Sequence, residues 1–148
     1  MIEARHIEKY FGEHHVLKDI SCRFEKGKAN LIIGQSGSGK TVLMKCLVGL
    51  FEVDQGKVTY NDRDFTQMNF EQRKTLRQEI GMLFQGGALF DSLNVEQNVM
   101  FPLNMFTRQS HAEKLERVNF VLNRVNLPGV NQLMPSELSG GMRKRVAI

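Results

Sequence analysis

Within eight consecutive positions, Gly34-Gln35-Ser36-Gly37-Ser38-Gly39-Lys40-Thr41, the chain places glycines, a lysine and hydroxyl residues in the order Gly-x-x-x-x-Gly-Lys-Thr. That order suits a polyphosphate. Phosphate oxygens carry dense negative charge and need many donors at short range. Glycines remove side chains and permit backbone angles that turn successive amides inward. Lys40 adds a mobile full charge, directed at the β- and γ-phosphates. The Thr41 hydroxyl is a hard oxygen suited to a magnesium ion. These residues are expected to bind ATP or GTP. The bland alternative, a flexible glycine turn, does not explain Lys40-Thr41 at that spacing. A second cluster, Leu138-Ser139-Gly140-Gly141-Met142, puts a hydroxyl and two glycines where a helix is expected to begin. A helix start is an anion site, because its first amides lack partners and its dipole is positive there.

The elements around these clusters fit. Ile2 to Ile7 and Val16 to Phe24 carry mixed apolar alternation separated by Gly12, which predicts short strands. Ala29 to Ile33 reads as a short buried strand running into the glycine loop, and Val42 to Leu50 as the helix after it. Asp54, Gln55 and Gly56 read as a turn before a strand at Lys57 to Tyr60. Capping boxes at Asn69/Gln72, Asn94/Gln97 and Ser110/Glu113 predict three helix starts. Ile80 to Phe84 is a second buried-strand candidate, ending at Gln85. Leu115, Val118, Leu122 and Val125 form one apolar stripe opposite Lys114, Arg117 and Arg124. Arg143 to Ile148 opens an amphipathic helix without a stop signal, so the sequence is expected to be part of a longer chain.

Bulk properties narrow the class. The 148 residues are 41% hydrophobic and 24% charged, an ordinary globular balance. No apolar stretch approaches the roughly 18 residues of a membrane-spanning helix. The first residues, MIEARHIEKY, lack the apolar core of a secretory signal. Net charge is +4 and scattered apart from Arg143, Lys144 and Arg145, too little to decide among nucleic acid, anionic lipid headgroups and a phosphate-rich ligand. Cys22 and Cys46 are far apart and suit small buried positions better than a metal pair. Adjacent His14 and His15 are poorly placed as two ligands and suit a surface turn.

With the phosphate loop, Gln85 at the end of a strand and LSGGM following in order, the sequence resembles the nucleotide-binding domain of ABC transporters along its whole length. The resemblance implies an α/β P-loop NTPase fold. It comprises an antiparallel β subdomain with the phosphate loop (1–65), a stretch to the Q-loop (66–85) and a helical signature subdomain (86–148), around part of a RecA-like core. It implies that Phe11 stacks on adenine and Val16 lines the same face. Gly34, Gln35, Ser36, Gly37, Ser38, Gly39, Lys40 and Thr41 then hold ATP. Thr41 and Gln85 attend magnesium, and Lys40, Gln85 and Ser139 take part in catalysis. Ser139, Gly140 and Gly141 close on the γ-phosphate held by a second ATPase subunit in a head-to-tail dimer. Residues 86–103 then line a groove for the coupling helix of an integral membrane permease. Met142 departs from the usual Gln of this motif. The family's Walker B aspartate, catalytic glutamate and switch histidine lie beyond the signature helix, so residues 1–148 alone are expected to be inactive.

FQGGALFDSLNV, LSGGMRKRVAI and GQSGSGKTVLMK look like the Mla branch, which moves phospholipids with an MCE-domain partner at the cytoplasmic face of the bacterial inner membrane. An amino-acid, methionine or lipoprotein transporter is the alternative. A DNA-associated ABC ATPase would separate Lys40 from Leu138 by long coiled coils or zinc modules, and this interval has neither heptads nor Cys pairs. A binding protein without catalysis is the third class.

Overall fold

The alternating apolar residues at the N-terminus form a long hairpin in the computed structural model, which describes residues 1–148. Strand β1 is Ile2–Phe11 and β2 is His14–Phe24. They pair antiparallel from Ile2 opposite Phe24 to Phe11 opposite His14. Gly12, at φ +60°, turns the chain between them, the angle a primed two-residue hairpin needs at its first central position. Strands β3 (Gln55–Tyr60) and β4 (Arg63–Asp64) complete a four-stranded sheet in the order β2-β1-β3-β4. Pairing slips between Ala4 and Tyr10, where His6 and, across from it, Asp19 take positive φ. A side chain on Gly56 would strike the His6 carbonyl at 2.2 Å, so glycine is required at this crossing.

Helices follow, in sequence, as α1 (Lys40–Leu47), α2 (Phe70–Arg77), α3 (Val95–Phe106), α4 (His111–Arg124) and α5 (Gly140–Val146). Each predicted capping box is present at α2, α3 and α4. The chain divides into two compact units, Met1–Gly81 and Met82–Ile148.

The first unit packs α1 and α2 with the sheet around Ala4, Ile7, Leu17, Leu43, Cys46, Leu47, Val58, Tyr60, Phe65 and Leu76. Two hydrogen bonds fasten the end of α1. The Tyr60 hydroxyl donates to the Leu47 carbonyl at 2.6 Å, and Arg77 Nη2 donates to the Gly49 carbonyl at 2.6 Å. Burial pushes the Tyr60 phenol up to about 12, so it remains a donor. The helix stops in a Schellman arrangement: the Gly49 amide reaches Cys46 O at 3.1 Å and the Leu50 amide reaches Lys45 O at 2.8 Å. Cys46 is buried and Cys22 half-buried, in keeping with their reading as small apolar residues.

The second unit is helical. Val95, Met100, Val118, Leu122, Leu127, Leu138 and Val146 form its core. The stripe on α4 faces inward, with Val118 and Leu122 buried. Asn98 ties the loop before α3 in place: its Oδ1 accepts from the Phe90 amide at 2.8 Å and its Nδ2 donates to the Phe90, Leu93 and Asn94 carbonyls. Arg145 of α5 donates to the Val125 and Asn126 carbonyls, satisfying the C-terminal end of α4.

Two expected strands do not form. Ala29 to Ile33 and Ile80 to Phe84 lie outside the sheet, with Leu31 84% and Ile33 81% exposed. A strand buried on both faces needs neighbours along both edges, and the sheet formed here pairs other segments.

Gly27 and Gly49 share a φ of +72°, but a side chain on Gly27 would meet open space and one on Gly49 the Phe65 ring at 2.4 Å. Gly27→Ala is therefore expected to cost about 1 kcal/mol of stability, the price of the left-handed backbone alone. Gly49→Ala is expected to cost at least about 2 kcal/mol more, from overpacking. Urea unfolding of both variants distinguishes this from a purely backbone effect, which would make them equal.

Candidate functional site

Residues 34–41 leave the sheet side of the first unit and enter α1. Gly37 and Gly39 hold φ of +81° and +87°, and Gly39 occupies the N-cap position of α1. No side chain caps α1, and its first turn has no acidic residue. By contrast α2, α3 and α4 each carry a side-chain cap and a glutamate in the first turn. The positive end of α1 thus remains open to an anion supplied from outside.

The loop is pressed against β2. A side chain on Gly39 would lie 3.1 Å from Leu17 Cδ2 and 3.3 Å from both Val16 Cγ1 and the Val16 carbonyl. Gly34 is tight against Ser38, whose hydroxyl would sit 2.9 Å from an added Cβ. Lys40 Nζ donates back to the Gly34 carbonyl at 2.8 Å and the Gln35 carbonyl at 2.6 Å. The ammonium group is therefore folded over the loop. Gly34, Gln35, Ser36, Gly37, Ser38 and Thr41 are exposed. Val16 is thus beside this loop.

Phe11 is also in the first unit, at the end of β1, and the residue is 45% exposed. Its edge-on neighbour is Phe51, 5.3 Å away between ring centroids, and Lys9 Nζ stands 5.5 Å from its centre. What holds the backbone beside this ring is Asp54. Asp54, read only as a turn residue, accepts from the Tyr10 amide at 2.6 Å and from Lys9 Nζ at 3.1 Å. These contacts hold its carboxyl below the usual carboxylate range, the Tyr10 amide most of all. On the far side of the hairpin, His15 stacks on Tyr10 with centroids 4.0 Å apart and pairs with Glu8. His15 is therefore a part-buried strand contact in β2 and not a residue of a surface turn.

Gln85 and the second cluster lie in the other unit. Gln85 is exposed in a turn closed by the Gly87 amide and the Phe84 carbonyl at 2.9 Å. Leu138 is buried in the helical core, while Ser139, Gly140 and Gly141 are exposed at the start of α5. Ser139 Oγ accepts from the Met142 amide at 3.2 Å. Capping uses the oxygen as acceptor and leaves its hydroxyl hydrogen available for donation. Nothing stands within 4 Å of a side chain added at Gly140 or Gly141. The departure at Met142 has a packing reason: its side chain lies against the second core.

The first unit thus carries a glycine loop with a folded lysine before an uncapped helix, and the second a serine-capped Gly-Gly helix. A family model described as ABC transporter matches residues 17–148, and the chain belongs to that family. It is 42% identical over 149 residues to "Protein TRIGALACTOSYLDIACYLGLYCEROL 3, chloroplastic" of Arabidopsis thaliana, covering 100% of this chain and 43% of that protein. It is 40% identical over 148 residues to methionine import ATP-binding protein MetN of Clostridioides difficile, covering 100% and 46%. Glutamine transport ATP-binding protein GlnQ of Bacillus subtilis is 40% identical over 152 residues, covering 100% and 61%. The chain spans about half the length of the curated relatives it matches. The dimeric structure of MJ0796, a bacterial ABC transporter cassette, superposes with a TM-score of 0.89 at 29% identity, covering 100% of this chain and 67% of that one. The same cassette in a post-hydrolysis state bound to ADP and Pi gives 0.88 at 27%, covering 99% and 67%. The fold is the ABC ATPase fold. No helix is long and apolar enough to cross a membrane.

Asp54 also sets an expectation for acid. Its folded-state value lies below the ordinary 3.8, so its contribution to stability is present above that value and lost as pH falls through the lower folded one. The stability difference between the native protein and Asp54→Asn is therefore expected to be largest above about pH 4 and to shrink below it. Denaturant titrations across pH read this difference, and a gap that widens on acidification would contradict it.

Proposed function

We propose that this chain is the ATP-binding part of an ATP-hydrolysing, energy-coupling subunit of an ABC transporter. The observation that carries the reading is the loop at 34–41: exposed residues, an open helix start and Lys40 held over the loop by two carbonyls. Those carbonyls are weaker partners for an ammonium group than phosphate oxygens. ATP would draw Lys40 onto its β- and γ-phosphates and take the free amides of α1. Phe11 would stack on adenine beside Val16, a contact tolerant of base identity and worth on the order of 1 kcal/mol.

The residues present also fit a magnesium ion. Thr41 offers an exposed hydroxyl oxygen at the first turn of α1; Gln85, an exposed residue of the other unit, is assigned to the ion by the family resemblance alone. No group of three or more His, Cys, Asp or Glu is placed to hold a metal, so binding there would also rely on phosphate oxygens. When bound, magnesium would neutralise charge on the transferring phosphate.

The reading assigns Ser139, Gly140 and Gly141 to the γ-phosphate of ATP bound by a second, head-to-tail subunit. Three features support it: an exposed hydroxyl free to donate, two unobstructed glycines, and a helix start without acidic residues. The attacking water would be activated by a glutamate outside residues 1–148. The second unit also has a cleft of about 470 Å³. Leu89, Phe90, Phe101 and Pro102, from the stretch after Gln85, help to line it. We assign this cleft to a coupling helix of a membrane permease, and the subunit would then sit at the cytoplasmic face of that membrane. For the cargo, phospholipid with an MCE-domain partner is supported by the likeness of FQGGALFDSLNV and LSGGMRKRVAI to the Mla branch. A relative named for trigalactosyldiacylglycerol, a galactolipid, favours a lipid cargo without favouring phospholipid in particular. The names of the methionine and glutamine relatives favour amino-acid import as the second reading.

Lys40→Ala is expected to abolish transport by the assembled complex; normal transport would overturn the assignment. Ser139→Asp is expected to keep the helix cap and the fold, since aspartate caps as well as serine. It should nevertheless suppress hydrolysis far more than ATP binding, because a carboxylate then faces the γ-phosphate. Steady-state hydrolysis alongside equilibrium binding separates the two. Equal losses would argue against action across the dimer.

A further inference from the structure

We propose that Asp54 is the positioning residue of the base-stacking platform, locking Phe11 to the far end of the helix that carries Lys40 and Thr41. This rests on the reading of Phe11 as the adenine contact. The carboxylate is bidentate in effect: one oxygen takes the Tyr10 amide at 2.6 Å and the other takes Lys9 Nζ at 3.1 Å. The Asp54 amide in turn donates to the Glu8 carbonyl at 3.0 Å. The last residues of β1 are therefore bracketed on both sides of Lys9. Lys9, with a side chain only 12% exposed, is held where its ammonium group stands over the Phe11 ring.

Asp54 is itself anchored to α1. The chain from Gly49 to Asp54 leaves the helix with the Leu50 and Phe51 amides both bonded to the Lys45 carbonyl, at 2.8 and 3.2 Å. Lys45 Nζ sits 5.0 Å from the centre of the Phe51 ring, and Phe51 meets Phe11 edge-on. One helix thus carries the phosphate-facing groups at its first turn and, just past its last, the loop that fixes the aromatic ring. Without the carboxylate, the slipped end of β1 keeps only its ladder bonds, and the ring loses its cation neighbour. The stacking contact requires a ring already in place, because ordering it on binding would cost part of the stacking energy.

The test compares ligands with and without a base on the intact subunit. Affinities for Mg-ATP and for inorganic tripolyphosphate are measured by calorimetry for the native protein, Phe11→Ala, Asp54→Ala and the double variant. Asp54→Ala is expected to weaken ATP at least about fivefold, as loss of a stacking contact does, and to leave tripolyphosphate unchanged. Adding it to Phe11→Ala should then produce no further loss. Equal losses for the two ligands, or additive losses in the double variant, would overturn the proposal and leave a merely structural role. If Phe11→Ala alone leaves ATP affinity intact, the stacking reading itself falls, an outcome separate from additivity. Should Asp54→Ala fail to fold, Asp54→Asn decides. It keeps an acceptor for the Tyr10 amide but frees Lys9. A fall in its ATP-to-tripolyphosphate affinity ratio supports the proposal, and an unchanged ratio overturns it.

Discussion

The unfilled positive end of α1 is the feature that the rest of the first unit is built around. Every helix leaves its first amides without partners, and most recover them from a nearby side chain. In α2, α3 and α4 a capping box does this. In α1 the N-cap is a glycine in the left-handed region, and no side chain answers. Lys40 then adds a full positive charge at the same place and is quieted only by two loop carbonyls. Positive potential is thus concentrated in a loop with little in the protein to neutralise it. The cost is tolerable because the loop is exposed to water, and on the proposed function it would be recovered when a polyphosphate binds.

The rest of the first unit keeps that feature in register. Gly39 brings the loop against Val16 and Leu17 of β2 closely enough that no larger residue fits without movement. The other end of α1 is held by Tyr60 and Arg77 and leads into the loop containing Phe51 and Asp54. The glycine loop and the ring-bearing segment are therefore fixed to one short helix. Precision of this kind comes from hydrogen bonds and close packing between elements.

Where local rules decide the outcome, the sequence was readable. Capping boxes at Asn69, Asn94 and Ser110, the apolar stripe on α4, the hairpin at Gly12 and the serine start of α5 are each set by residues a few positions apart. The glycine loop was legible for the same reason. Expectation failed where long-range pairing decides. Ala29 to Ile33 and Ile80 to Phe84 have strand composition, but they find no pairing edge and stay outside the sheet. Asp54 was missed because a turn aspartate looks alike whether it faces water or an amide 44 residues away in sequence. Only the fold brings Tyr10 and Lys9 to it. Met142 was likewise an unexplained departure until its packing against the helical core gave it a reason.

The central claim is that the amides of α1 and the Lys40 ammonium group grip a polyphosphate. Backbone amide chemical shifts of the intact subunit, recorded during titration with Mg-ATP, test it most directly. The account predicts saturable shifts centred on Gly37 to Val42, together with a change at the Lys40 ammonium group. Saturating ATP that leaves those amides unmoved, or that shifts only residues elsewhere, would contradict it.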